Sequence, residues 1–175
     1  MDGCTGRNRS RGGAAVSAYY EAPDYYRPAP GDPPAVFLAG GITGVADWQR
    51  EAARELGRIG AVVLNPRRRD FPIGDPGETP AQIAWEHHHL HLPEVLTMFW
   101  FPPGDSTQPI ALLELGAALD NPARRIVVGA DPGYPRVADV RWQARLARPG
   151  EVVHATLGDT LAAVRGLLAG EGGPS

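Results

Sequence analysis

AVFLAGGITGVADWQREAARELGRIGAVVLNP, residues 35 to 66, holds a strand, a glycine loop, a helix and a second strand in one unbroken run. AVFLAG (35–40) is short and continuously apolar, as a strand covered on both faces is. In DWQREAARELGRIG (47–60) the apolar residues Trp48, Ala52, Leu56 and Ile59 recur at helical spacing. Between them Arg50, Arg54 and Arg58 alternate with Glu51 and Glu55 to make a solvated, ion-paired face. AVVLNP (61–66) then returns to the strand pattern.

The same alternation continues outward. TPAQIAWEHHHLHL (79–92) reads as a helix, VLTMFWF (95–101) as a strand, QPIALLELGAALD (108–120) as a helix and RIVVGA (125–130) as a strand. VADVRWQARLA (137–147), EVVHAT (151–156) and DTLAAVRGLLA (159–169) add a helix, a strand and a helix. Apolar strands separated by helices predict a doubly wound, flavodoxin-like α/β domain over residues 35–170, with a five-stranded parallel sheet and helices on both faces. Residues 1–34, rich in Gly, Arg, Pro and Tyr without periodicity, are expected to form a disordered or loosely attached arm. Residues 171–175, EGGPS, are expected to be a flexible tail.

Composition narrows the chemistry. The 175 residues carry a net charge of −3, which gives no reason to expect a nucleic acid polymer as partner. No apolar run is long enough for a membrane span and no leader pattern is seen, so the cytoplasm is the expected location. All 17 basic residues are arginine, which removes lysine Schiff bases and the P-loop lysine. Cys4 is the single cysteine and GxSxG is absent, so disulfides, cysteine zinc sites and a serine elbow are not expected.

In a doubly wound sheet, ligands bind beyond the carboxyl ends of the strands, so candidate residues are sought there. The loop Gly40-Gly41-Ile42-Thr43-Gly44 can bring unhindered backbone N–H groups to a ligand, or be a tight turn only. Trp48 can stack on a base or belong to the core row of its helix. Asn65 ends a strand, and one of Arg67, Arg68 and Arg69 can meet an anionic group with paired hydrogen bonds, although a solvated loop requires no ligand. Glu114 lies among Ala, Leu and Gly in PIALLELGAALD, either as a functional carboxylate or as the polar stripe of a buried helix.

Four of the five histidines, His87, His88, His89 and His91, cluster in IAWEHHHLHL (83–92). His87 and His91 have the i, i+4 spacing of a zinc pair, but HExxH is absent and a third ligand would have to come from elsewhere. No metal and no cofactor are expected. His89, one turn beyond Glu86, can hydrogen-bond it or be an ordinary helix histidine.

Together, VFLAGGITG with DWQ, VVLNPRR, QIAWE, FWFP and QPIALLELGAA resemble the nucleoside 2-deoxyribosyltransferase-like family over roughly residues 35 to 130. The resemblance implies a flavodoxin-like fold and cleavage or transfer of the N-glycosidic bond of a (deoxy)nucleoside or nucleotide through a covalent glycosyl-enzyme intermediate. It implies that Glu114, in Glu114-Leu115-Gly116, is the nucleophile. It implies that Glu86, eight residues before Glu94, contacts and protonates the base, where the family commonly has aspartate. A sugar-binding aspartate expected about six residues before the nucleophile is replaced by Gln108, with Asp105 nearby. A homo-oligomer is also implied, without cofactor. The candidate substrate contacts are therefore Gly40, Gly41, Thr43, Trp48, Asn65, Arg67, Asp105 and Gln108. The competing readings are a non-catalytic nucleotide-binding module on the same fold and a metal-dependent hydrolase centred on the histidines.

Overall fold

The computed structural model describes residues 18–68 and 78–171. Its strands are β1 (Tyr19–Tyr20), β2 (Ala35–Gly40), β3 (Val62–Leu64), β4 (Val95–Phe101), β5 (Ile126–Ala130) and β6 (Val153–His154). Its helices are α1 (Trp48–Arg58), α2 (Glu78–Leu90), α3 (Pro109–Asp120), α4 (Val137–Ala147) and α5 (Leu157–Glu171). The strands form one sheet in the order β1-β3-β2-β4-β5-β6, and every pairing is parallel. Leaving β1 aside, that is the expected flavodoxin-like order, with its switch between β2 and β4. No described helix is long and apolar enough to cross a membrane.

Alternate residues of the buried strands face opposite sides, so the sheet separates two cores. Val36, Leu38, Leu96 and Met98 pack with Trp48, Ala52 and Leu56 of α1 and with Leu161, Val164 and Leu168 of α5. Phe37, Ala39, Phe99 and Phe101 pack with Trp85 of α2, Leu115 and Leu119 of α3, and Val140 of α4. The first turn of α1 is held by Asp47, whose carboxylate accepts from the Arg50 N–H at 3.1 Å. Arg148, just past α4, donates to the carbonyl oxygens of Ala118, Leu119, Asn121 and Arg124 and so satisfies the carboxyl end of α3. Gly129 lies tight against α5: a Cβ there would lie 2.1 Å from Thr160 Oγ1 and 2.7 Å from the Trp100 ring. Gly129→Ala should therefore lower stability by about 2–3 kcal/mol through overpacking, read from a denaturant midpoint.

Two expectations are corrected here. The sheet has six strands, because Tyr19–Tyr20 joins its edge beside β3, with Val63 N–H donating to Ala18 O and Asn65 N–H to Tyr20 O. The described part of the expected arm is also packed, since Ala22 and Tyr26 are buried in the α2 side of the core. Trp85 Nε1 donates to Asp24 O at 2.8 Å, and Tyr26 N–H donates to His89 Nε2 at 3.0 Å. Residues 1–17 and 172–175, the rest of the expected arm and nearly all of the expected tail, lie outside the described residues.

His89 is thus a fastener for that segment. It is fully buried, and with Nε2 accepting from Tyr26 its Nδ1–H donates to Trp85 O at 2.8 Å, so both ring nitrogens are used and the ring is neutral. Burial lowers its pKa. The unfolded chain then takes up the proton first as pH falls through the ordinary imidazole range, and the stability due to neutral His89 is lost toward acid. His89→Ala should be less stable by about 2–4 kcal/mol at pH 7.5, with a smaller deficit at pH 5, in thermal unfolding curves.

Candidate active site

Beyond the carboxyl ends of β2 and β4, at the switch in strand order, lies a cavity of about 510 Å³. Its floor is Phe37 and Ala39 of β2, and one rim is Gly40 to Thr43. Thr79, Gln82, Ile83 and Glu86 line it from α2; Ser106, Gln108, Pro109, Ile110, Ala111 and Glu114 line it from α3 and the loop before it. No basic side chain is among these lining residues.

The glycine pair is required by close approach. A Cβ on Gly40 would stand 2.1 Å from Trp100 O, and one on Gly41 would stand 2.4 Å from Gln108 Cδ. Gly40 also has φ 148°, within the region that favours glycine. Gln108, just before Pro109, is held at φ 48° and ψ 56° although it is not glycine. It is buried, its Nε2 lies 3.5 Å from Pro102 O, and its Oε1 has no hydrogen-bond partner among the described residues. A strained backbone beside a cavity is where ligand contacts are commonly held. Gly41→Ala should push Gln108 aside and weaken ligand binding well beyond its effect on stability, as comparison of KM with the melting temperature will show.

Glu86 and Glu114 come from different helices and are both half-buried in the wall of this cavity. Burial, and then the charge of Glu86, push the Glu114 carboxyl up to about 7. Burial raises Glu86 as well, offset in part by the hydrogen bond that Gln82 Nε2 donates to its Oε1 at 2.8 Å. Two carboxyls facing one apolar space, with no cation among its described lining residues, resist ionising together, so the pair retains a proton close to neutrality. Such a pair can supply one anionic oxygen and one acidic proton to the same bound molecule.

The structure brings Gly40, Gly41, Thr43, Gln108, Glu86 and Glu114 to one cavity and leaves four other candidates away from it. Trp48 is buried on the opposite side of the sheet, where its Nε1 donates to Gly41 O at 3.0 Å beside Gln49 Nε2 at 3.1 Å. It supports the glycine loop from behind and offers no face for stacking. Asn65 and Arg67 line a separate polar cavity of about 720 Å³ next to α1. There Asn65 Nδ2 donates to the Tyr19 hydroxyl, while Arg67 turns to Asp47, Gln49 and Ala46 O. Asp105 is exposed and outside the lining of the carboxylate cavity. Arg69 lies outside the described residues.

His89 does not meet Glu86, being committed to Trp85 and Tyr26. His91 Nδ1 bonds His87 O on an exposed face, and no group of three potential metal ligands occurs among the described residues. Gln82 was not singled out by the sequence, although it opens the stretch QIAWE and stands one turn before Glu86.

Fold and cavity define a parallel α/β protein with a half-buried carboxylate pair at its topological switch point. The chain belongs to the nucleoside 2-deoxyribosyltransferase-like family, whose model matches residues 33–134, a span that includes all the residues lining this cavity. No curated protein sequence matches the chain significantly.

Proposed function

We propose that this protein cleaves or transfers the N-glycosidic bond of a (deoxy)nucleoside by way of a glycosyl-enzyme intermediate on Glu114, with Glu86 protonating the departing base. The observation that carries this reading is the convergence of Glu86 and Glu114 on one cavity with no basic side chain among its described lining residues. A carboxylate oxygen of Glu114 attacks the anomeric carbon as the bond to the base breaks. The bond's electron pair leaves with the base, which takes the Glu86 proton. Water or a second base then attacks the same carbon, gives its proton to Glu86 and frees Glu114.

Binding itself can sort the proton. A ring nitrogen against Glu86 favours its protonated form, and the positive charge growing at the anomeric carbon favours ionised Glu114. Substrate thereby draws the shared proton away from Glu114, where burial and Glu86 favour it in the free protein. With Arg67 turned toward α1, a nucleoside is a better fit than its monophosphate. A panel of nucleosides and monophosphates, assayed with and without an acceptor base, tests this reading. Free base is expected from at least one nucleoside, and no release from any member would contradict it.

The same reading extends to a homo-oligomer built on α3 and α4. Within α3 only Glu114 and Asp120 are charged, yet Ile110 and Leu113 are 62% and 70% exposed, and on the neighbouring helix α4 Trp142 and Leu146 are 59% and 70% exposed. A helix apolar on every side is ordinarily covered on every side, and a second copy of the chain is the matching cover. Because Ile110 also lines the cavity, that copy would narrow the access of water. Leu113→Glu should lower the sedimenting mass of the protein; an unchanged mass in wild type and variant at monomer size would contradict the assembly.

A further inference from the structure

Gln82 is a buried polar side chain that the proposed reaction steps do not use. It is only 9% exposed and sits one turn before Glu86 on α2. Its Nε2 donates to Pro66 O at 2.8 Å and to Glu86 Oε1 at 2.8 Å. Because a carbonyl oxygen can only accept, the amide nitrogen must face Pro66, and this fixes which way round the amide lies. Both of its hydrogens are then used, and Gln82 Oε1 is left buried without a partner among the described residues. An acceptor in that condition costs about 1–3 kcal/mol. Methionine or leucine would fill a similar volume without that penalty but would strip the donor from Pro66 O and Glu86 Oε1, so filling space alone does not account for glutamine here.

The geometry points to Gln82 as the positioning residue of Glu86, clamped to Pro66 so that it occupies Oε1 of the carboxyl and leaves Oε2 as the oxygen that delivers the proton. This rests on the glycosidic reading of the cavity. A neutral carboxyl has one carbonyl-type and one hydroxyl oxygen, and an N–H donor committed to the first puts the hydrogen on the second. The clamp joins the chain just after β3 to α2, so the acid is held by two elements of the fold instead of by its own rotamers. An N–H bond favours the ionised form, so Gln82 also keeps the proton easier to give up than burial alone would allow.

Gln82→Met in the full chain tests the assignment. With a nucleoside of ordinary base, kcat should fall by about 10- to 100-fold with little change in KM, the range of a misplaced general acid. An N7-methylated purine nucleoside, whose base leaves without needing a proton, should lose far less. The alkaline limb of the pH–rate profile should move to higher pH, while the melting temperature changes little, removal of the unpartnered acceptor offsetting the lost bonds to Pro66 O and Glu86. Equal losses on both substrates with superimposable pH profiles would overturn the assignment. Gln82→Leu provides the same comparisons if the methionine variant is poorly folded. An activity-independent readout is the Glu86 carboxyl signal by carbon NMR in Glu114→Gln protein, which should titrate at higher pH once Gln82 is replaced. An unmoved titration overturns the clamp whatever the activity. A moved titration with no base release from any nucleoside would support the clamp and fault only the glycosidic reading.

Discussion

Replacing Glu114 with alanine or glutamine should reduce base release by at least about 10³-fold, because no other described carboxylate lining the cavity remains to attack the anomeric carbon once Glu86 serves as acid. The same change should stabilise the protein at alkaline pH. The Glu114 pKa is raised from 4.5 to about 7 in the folded chain, so the unfolded chain ionises first as pH rises. The Glu114 contribution to wild-type stability is therefore full below about pH 4.5 and falls until pH passes the folded value, a loss of about 3 kcal/mol. Glu114→Gln lacks that loss and should melt higher than wild type at pH 8 and about equally at pH 4. A variant that is inactive and more stable is the usual mark of a strained functional group, whereas an inactive and less stable one would indicate a packing role.

Glu86→Gln should lower base release by about 10²- to 10³-fold for ordinary bases, the range for loss of a general acid. Its effect on a base that is already cationic should be small. In wild type one carboxyl must be ionised and the other protonated, so the rate should rise and then fall with pH, both limbs lying above the ordinary carboxylate range because burial raises both groups. In the Glu86→Gln variant that alkaline limb should vanish, since no proton remains to be lost. A persisting alkaline limb would place the acid elsewhere.

The alternation of strands and helices was legible because β2 to β5 are short apolar runs buried on both faces and α1 keeps its apolar spacing. Tyr19–Tyr20 was not, since a two-residue edge strand is fixed by backbone bonds to Val63 and Asn65 that leave no side-chain pattern. Helical spacing left His89 either a partner of Glu86 or an ordinary helix histidine, and neither reading reached its partner Tyr26, 63 residues away in sequence. Strand-end logic gave Asn65 and Arg67 the correct end of the sheet and not its side: the chain leaving β3 turns Arg67 toward Asp47 on α1, while the carboxylates face the other layer. Trp48 belonged to the apolar row already visible in its helix, and its indole N–H explains how that row also supports Gly41. Glu86 and Glu114 share a cavity because α2 and α3 flank β4 on the same layer, which the order of elements implied and local pattern did not.

The central claim is covalent attack by Glu114. A 2-fluoro nucleoside slows release of the intermediate, so incubating it with wild-type protein should increase the intact mass by one fluorosugar and map that increase to the peptide containing Glu114. The Glu114→Gln variant should show none. Release of base from the unsubstituted nucleoside with no adduct under any trapping condition, or an adduct on another residue, would contradict the account.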